Sequence, residues 1–419
     1  MPSASGPVYI AVMLYGMSTW LTAYGVFVET PLLVNALPES WKLPAYLMIV
    51  IQCGNLGPAV YAIWDKMRRR HQQPSNEQQQ QQQHSLIDTE VVMSLIIMVT
   101  IILSMLLLSL FWDRTAVIAS ENRSVALLIL VFLASISCCT SSVVFLPYMA
   151  RFPSVYISAF YLGVGLCGLV PGLLALAQVA EEQPQCHNET DVNDTVITNL
   201  IDVAESSVVH YSSPRFSVSA FFVLITVLLC ISAAAFCSLN FIQKCRSEMT
   251  ASDDDSRRLL EADEVTSTTE ELETPGNRDS DVMQSVNIVT ENVPVVIPHQ
   301  RRRYLSLLVT IFIISTLFNG VLPSTESYTC LPYGNIVYKL SICLSLVVSP
   351  LAALPDMVAP TSSLPLINGL STVACLIGSF RLLLAAQSPH PILQDSVVGQ
   401  VVVVSSFFIV LHGCVKWYG

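Results

Sequence analysis

Charge is scarce in this sequence. Only 12% of its 419 residues are Asp, Glu, Lys or Arg, against roughly 25% in a soluble globular chain. That excludes a soluble domain with an ordinary charged surface. The signatures of catalysis are missing too: there is no Walker A loop, no GxSxG elbow, no HExxH helix and no Gly-rich dinucleotide fingerprint, and the 7 histidines lie mostly in loops. Most of the 12 cysteines fall within apolar runs, where they act as small hydrophobes, and the adjacent Cys138 and Cys139 lack metal-ligand spacing. No enzyme, metal or cofactor is expected. Met1 to Pro7 carries no basic residue and no cleavage signal, so the first apolar run reads as a retained span. Lys and Arg are nearly absent from the apolar runs, which argues against a voltage sensor or a strongly anionic substrate. Arg381 is the exception and is expected to snorkel to an edge.

What is present is apolar sequence: 53% of the residues are hydrophobic. Reading runs of about 20 mostly apolar residues as spans predicts helices near 8–28, 44–64, 91–112, 124–147, 154–179, 216–243, 304–323, 337–355, 364–386 and 398–415. The fold expected is an all-α polytopic membrane protein of about ten transmembrane helices. With the N-terminus in the cytoplasm, Lys66, Arg68, Arg69, Arg70, Arg151, Lys244, Arg246, Arg257, Arg258, Arg278, Arg301, Arg302, Arg303 and Lys416 face inside. Lys42, Arg114, Arg123, Arg215, Lys339 and Arg381 are left outside or near that edge, so the positive-inside rule favours this orientation. The sequons at Asn122, Asn188 and Asn193 all fall in loops this topology places outside, as glycosylation requires.

Two inside loops are long. Met67 to His84 is a basic cluster followed by a Gln run, a polar tract expected to be disordered. Residues 244–303 form a second, Asp/Glu/Ser/Thr-rich loop, also expected to be disordered and cytoplasmic. It divides the chain into an N-terminal lobe of six spans, residues 1–243, and a C-terminal lobe of four, residues 304–419. Within it "DSRRLL" fits an acidic dileucine signal for trafficking adaptors through Asp255, Leu259 and Leu260, a pattern that a charged loop also produces by chance. Cys186 and Cys330 fall on the predicted outer face, where a disulfide is chemically permitted, although connectivity cannot be read from sequence.

Several spans are interrupted by Pro and Gly and carry aromatic and polar residues: "YGMSTWLTAYGVFVETP", "GNLGPAVYAIW", "CCTSSVVFLPYMARFP", "FYLGVGLCGLVPG" and "FNGVLPSTESYTCLPYGN". One Pro alone reads as a kink. Irregular backbone in so many spans points to a cavity, because broken helices are tolerated at membrane depth only where they are buried in protein or line water. Glu29 stands out, since a carboxylate at such depth is costly unless paired, hydrated or near the interface.

These segments carry a resemblance. W-x7-V-E-x-P at Trp20 to Pro31, the "LPESWKLPAY" loop, "GNLG" at Gly54 to Gly57, "CC-x5-FLP" at Cys138 to Pro147 and "NGVLPSTESYTCLPYG" at Asn319 to Gly334 are similar to the animal riboflavin transporter family, in order along the chain to about Lys416. The resemblance implies a two-lobed carrier similar to major-facilitator and equilibrative-nucleoside carriers, taking up riboflavin at the plasma membrane by alternating access. Its partners would be riboflavin, the lipid bilayer and possible adaptors, with no nucleic acid. Relatives carry polar residues where this chain has Tyr24, Ser142 and Val164, a "SPCP" loop where it has His390, and an eleventh span beyond "VKWYG", so a chain shortened at its C-terminus is expected. A carrier for another flat heterocycle and a non-transporting partner chain stay open at this stage. Riboflavin is uncharged near neutral pH, with a flat ring, an imide edge and a ribityl chain, and needs stacking aromatics with a few convergent polar groups. The expected substrate-binding set is Trp20, Glu29, Phe145, Tyr148, Asn319, Ser327, Tyr328 and Tyr333, with Phe27 and Glu326 as further candidates. For Glu29, capping the end of its span or joining the lobes is an equal alternative.

Overall fold

The structure, a computed structural model, describes residues 5–71, 79–118, 120–178, 214–242, 298–358, 364–394 and 396–415. In lipid the backbone must satisfy its own hydrogen bonds, so these apolar runs fold as helices. The first group comprises α1 (Gly6–Met17), α2 (Leu21–Ala36), α3 (Leu43–Cys53), α4 (Leu56–His71), α5 (Gln79–Phe111), α6 (Val125–Met149), α7 (Ser154–Gln178) and α8 (Val218–Phe241). The second comprises α9 (Pro298–Thr316), a π turn (Leu317–Val321), α10 (Leu322–Cys330), α11 (Asn335–Val358), α12 (Leu364–Ala386) and α13 (Val397–Val415). A short hairpin, β1 (Ala116–Ile118) with β2 (Glu121–Arg123), joins α5 to α6.

Helices occur at each expected span. Among the described residues, 7 helical segments can cross a membrane by length and composition, or up to 8 when α1 and α2, which meet at 52°, count as one bent span; α11 and α13 contribute the shorter apolar stretches Asn335–Val348 and Val397–Ser406. Three helix ends reach into the loops expected to be disordered: α4 runs to His71 and α5 starts at Gln79, both inside Met67 to His84, and α9 starts at Pro298, inside 244–303. Gln is a good helix former, so a helix nucleated in the adjoining apolar run extends into it at little cost.

Small residues set the closest helix contacts. A Cβ on Gly16 would lie 2.2 Å from the Phe160 carbonyl oxygen, and one on Gly163 would lie 2.0 Å from that of Met13, so α1 and α7 meet backbone to backbone. This is the usual way apolar helices gain contact without a hydrophobic drive between them. Glu39, from the loop between α2 and α3, is buried at the start of α6, where its carboxylate accepts from the Ser124 N–H at 2.6 Å and the Ser124 hydroxyl at 2.7 Å. A carboxylate there also meets the positive end of the helix dipole.

Candidate transport site

Three breaks fall near the middle of their spans. At the first, between α1 and α2, the Ser18 hydroxyl donates to the Tyr15 carbonyl at 2.7 Å and the Thr19 hydroxyl to that of Gly16 at 2.8 Å, satisfying acceptors that the broken ladder frees. Beyond it Trp20, Ala23, Tyr24 and Phe27 form a half-buried face of α2, with the Trp20 and Tyr24 rings 6.4 Å apart. At the second, Gly54 and Asn55 separate α3 from α4. The third is the π turn at 317–321, which carries Asn319.

The second and third breaks meet. Gln52 donates from Nε2 to the Asn319 carbonyl at 2.7 Å, and Asn55 donates to the Gln52 Oε1 at 3.0 Å. All three residues are exposed. Exposed amides at mid-span are costly against lipid tails, so their surroundings are expected to be a polar cavity between the helices. Gln52 was missed in the sequence; the signal was a Gln three residues before the helix-breaking Asn55, both on the face that Gly54 turns.

The expected site residues separate into distinct places. Trp20 and Asn319 stand at breaks. Ser327 is buried and donates to the Trp41 carbonyl at 2.7 Å, while the Tyr328 ring packs edge-on against the Trp41 ring at 5.8 Å. Tyr333 lies in a turn after α10 and donates to the Ile392 carbonyl at 2.6 Å. Phe145 and Tyr148 are fully buried in an aromatic core, Phe145 stacked on Tyr15 at 4.4 Å and Tyr148 at 5.2 Å from Phe236, with its hydroxyl on Asn240. Their core includes Tyr15, whose carbonyl accepts from Ser18 at the first break. Asn122 is exposed on β2. Asn188, Asn193, Cys186, Asp255, Leu259 and Leu260 lie outside the described residues.

Glu29 is 0% exposed, and neither carboxylate oxygen has a donor in hydrogen-bond geometry. Gln178 of α7 and Lys339 of α11 stand beside it. The Lys339 ammonium, itself buried, donates to the Gln178 Oε1 at 2.8 Å, and the Gln178 Nε2 donates to the Phe216 carbonyl at 3.1 Å.

Lys339 stands one turn inside α11, near the end of its run, and is buried under α2 and α7. Two readings of charged and sulfur groups need correction. Arg381 does not snorkel: it is 0% exposed. Its Nη2 lies 2.7 Å from both oxygens of Glu326, and its Nη1 donates to the Val403 carbonyl at 2.9 Å and the Ser406 hydroxyl at 3.0 Å. A partner carboxylate 55 positions away removes the need to reach water. Cys330 is not on an outer face; its buried free thiol sits 3.3 Å from Glu326 Oε1, where Ser341 also donates at 2.9 Å. A groove of about 300 Å³ between α12 and α13 is lined by Leu376, Ile377, Phe380, Val402, Ser405 and Ser406. It is too apolar to suit a polar heterocycle, although Gly378 beside its Ile377 packs against Leu317 of the π turn.

Residues 5–418 match the family described as "Solute carrier family 52, riboflavin transporter". The chain belongs to this family. The family is one of solute carriers, not of enzymes. Riboflavin transporter member 3-A of Danio rerio is 34% identical over 98% of this chain and 88% of its own length. Human members 3 and 1 are 31% and 32% identical, each over 98% of this chain and over 87% and 85% of their own lengths. The riboflavin transporter family thus spans every break, the Glu29 region and the Glu326–Arg381 pair.

Proposed function

We propose that this chain carries riboflavin across the plasma membrane by alternating access, as two lobes, residues 1–243 and 304–419, rock about a site at the helix breaks. The observation that carries this reading, beyond family membership, is the Gln52–Asn55–Asn319 amide cluster, which links a broken helix of each group at mid-span. Trp20 and Tyr24 offer aromatic faces for the flat ring. Amides at 52, 55 and 319 offer donors and acceptors for the imide edge or the ribityl hydroxyls. Glu29 offers an acceptor from the side where the lobes meet, and Ser327 and Tyr328 close that side against Trp41. The substrate is neutral, so net uptake needs no ion gradient if phosphorylation traps it inside.

The N-terminus is placed in the cytoplasm on the charge bias, with Asn188 and Asn193 carrying glycan on the opposite side. Arg68, which bonds Asp65 and Thr89, and Arg151, which pairs with Glu90, then share the cytoplasmic end. Adaptors docking at Asp255, Leu259 and Leu260 would set its surface level. The deciding experiment is uptake of labelled riboflavin in cells lacking their own transporter, with competition by flavin and nucleoside analogues. Saturable uptake competed by flavins alone is expected. Nucleoside uptake without riboflavin uptake would overturn the reading.

A further inference from the structure

Two buried charge clusters in this chain are built differently. Glu326 and Arg381 lie within the second group, and both carboxylate oxygens are bonded; with Cys330, Ser341, Val403 and Ser406 they tie α10, α11, α12 and α13 together. Glu29, Gln178 and Lys339 lie between the groups. There one ammonium makes one cross-group bond, to Gln178, and the carboxylate beside it has none. Removing ions from water costs more than their attraction returns unless the remaining bonding positions are filled. A carboxylate left without a donor at a seam therefore gains hydration when the seam opens, whereas the Glu326 carboxylate, with both oxygens bonded, gains little by parting.

Other cross-group bonds share this end of the helices. Asn35, at the close of α2, donates to the Asn335 side chain at 3.4 Å at the start of α11, and both lie at the surface end of the seam. Lys339 is one turn deeper, ~6 Å along α11. Ser327 bonds Trp41 of the α2–α3 loop at this same end, and Gln52 bonds Asn319 at the break layer. The seam thus runs from the surface to the break layer, with the charged cluster partway down.

We propose that Lys339 and Gln178, with Glu29 beside them, form a polar latch that shuts the Asn35 mouth of the transport path, and that this structure is the state with that mouth shut. In the orientation proposed above, that mouth is extracellular. The latch forms across the lobe boundary, so it breaks each time the path opens there. This inference rests on the two-lobed carrier reading, and its test includes an arm that needs no substrate.

The test is a cross-link between Asn35→Cys and Asn335→Cys in the full-length chain, with each single variant as control and a protease site in the central loop to reveal linkage. Oxidation should join the two halves and lower riboflavin uptake at least tenfold, and a reductant should restore it. Full uptake with the halves joined, or no linkage at all, would overturn the proposal. The second arm omits substrate and follows the rate of linkage. Lys339→Met and Gln178→Ala, at matched surface level, should each slow it several-fold because the mouth spends less time shut. An unchanged rate in both refutes the latch whether or not riboflavin is the cargo, while normal wild-type linkage without riboflavin uptake refutes only the substrate.

Discussion

Arg381→Met tests whether the second group is held by its internal ion pair. The substitution keeps an unbranched stem but removes both Nη2 contacts at 2.7 Å, leaving Glu326 buried with only Ser341 and Cys330. Breaking one partner of a buried pair costs about 3–5 kcal/mol. At about 1.4 kcal/mol per factor of ten, that is roughly a hundred- to several-thousand-fold in the ratio of folded to unfolded chain. Glu326→Gln should cost at least as much, since a carboxylate can take up a proton and become neutral whereas a guanidinium cannot. The double variant Glu326→Gln with Arg381→Met leaves no buried charge and should recover most of the loss. The assay is the midpoint of thermal unfolding of detergent-solubilised protein, followed by size-exclusion fluorescence, together with surface abundance. The reasoning fails if either single change stays within the ~0.5 kcal/mol typical of a surface substitution, or if the double variant is no more stable than the worse single.

Gln52→Ala removes two neutral hydrogen bonds, each worth about 0.5–1.5 kcal/mol, so the apparent KM for riboflavin should rise while surface abundance and maximal rate hold; an unchanged saturation curve would remove the amide cluster from the site. Glu29→Gln exchanges a charged acceptor, worth roughly 1.5–3 kcal/mol, for a mixed amide, and the apparent affinity should weaken about tenfold or more at normal surface level. If only abundance changes, the carboxylate does not meet the substrate. Gly163→Leu would set a Cβ 2.0 Å from the Met13 carbonyl and should abolish surface expression, whereas Gly6→Ala, with nothing within 4 Å, should express normally. An epitope placed in the Gln run should stain only permeabilised cells, and staining of intact cells would reverse the orientation.

The helices were legible because hydrophobic run length alone determines them in lipid, and two of the three breaks were marked by the residues that make them, Gly54 with Asn55 and Asn319 beside Gly320. The pairings were not legible. Lys339 and Arg381 sit close enough to the ends of their runs that a count along the chain leaves them at an edge. What buries them is the approach of α2 and α7 in one case and of α10, α11 and α13 in the other, which run length does not encode. For Phe145 and Tyr148 the motif next to a Pro marks a helix of interest but not which neighbours its faces meet; the rings that bury them come from α1 and α8. Glu29 was singled out by cost alone, and its two neighbours came from elements 149 and 310 positions further along the chain.

The π turn has a consequence for the phase of the helix that contains it. Residues 298–330 run on as one column, but the wide turn at 317–321 takes up an additional residue, and each residue turns a helix by roughly 100°. Before it, Leu308, Val309, Ile311, Phe312 and Ile313 are all exposed on an apolar rod; after it, Glu326, Ser327, Thr329 and Cys330 are all buried. Without that extra residue the column would continue in its earlier phase, and Glu326 would point about a quarter-turn away from Arg381. One widened turn thus sets the rotation of α10 that lets the same helix present a lipid-facing half and a half that carries a buried charge.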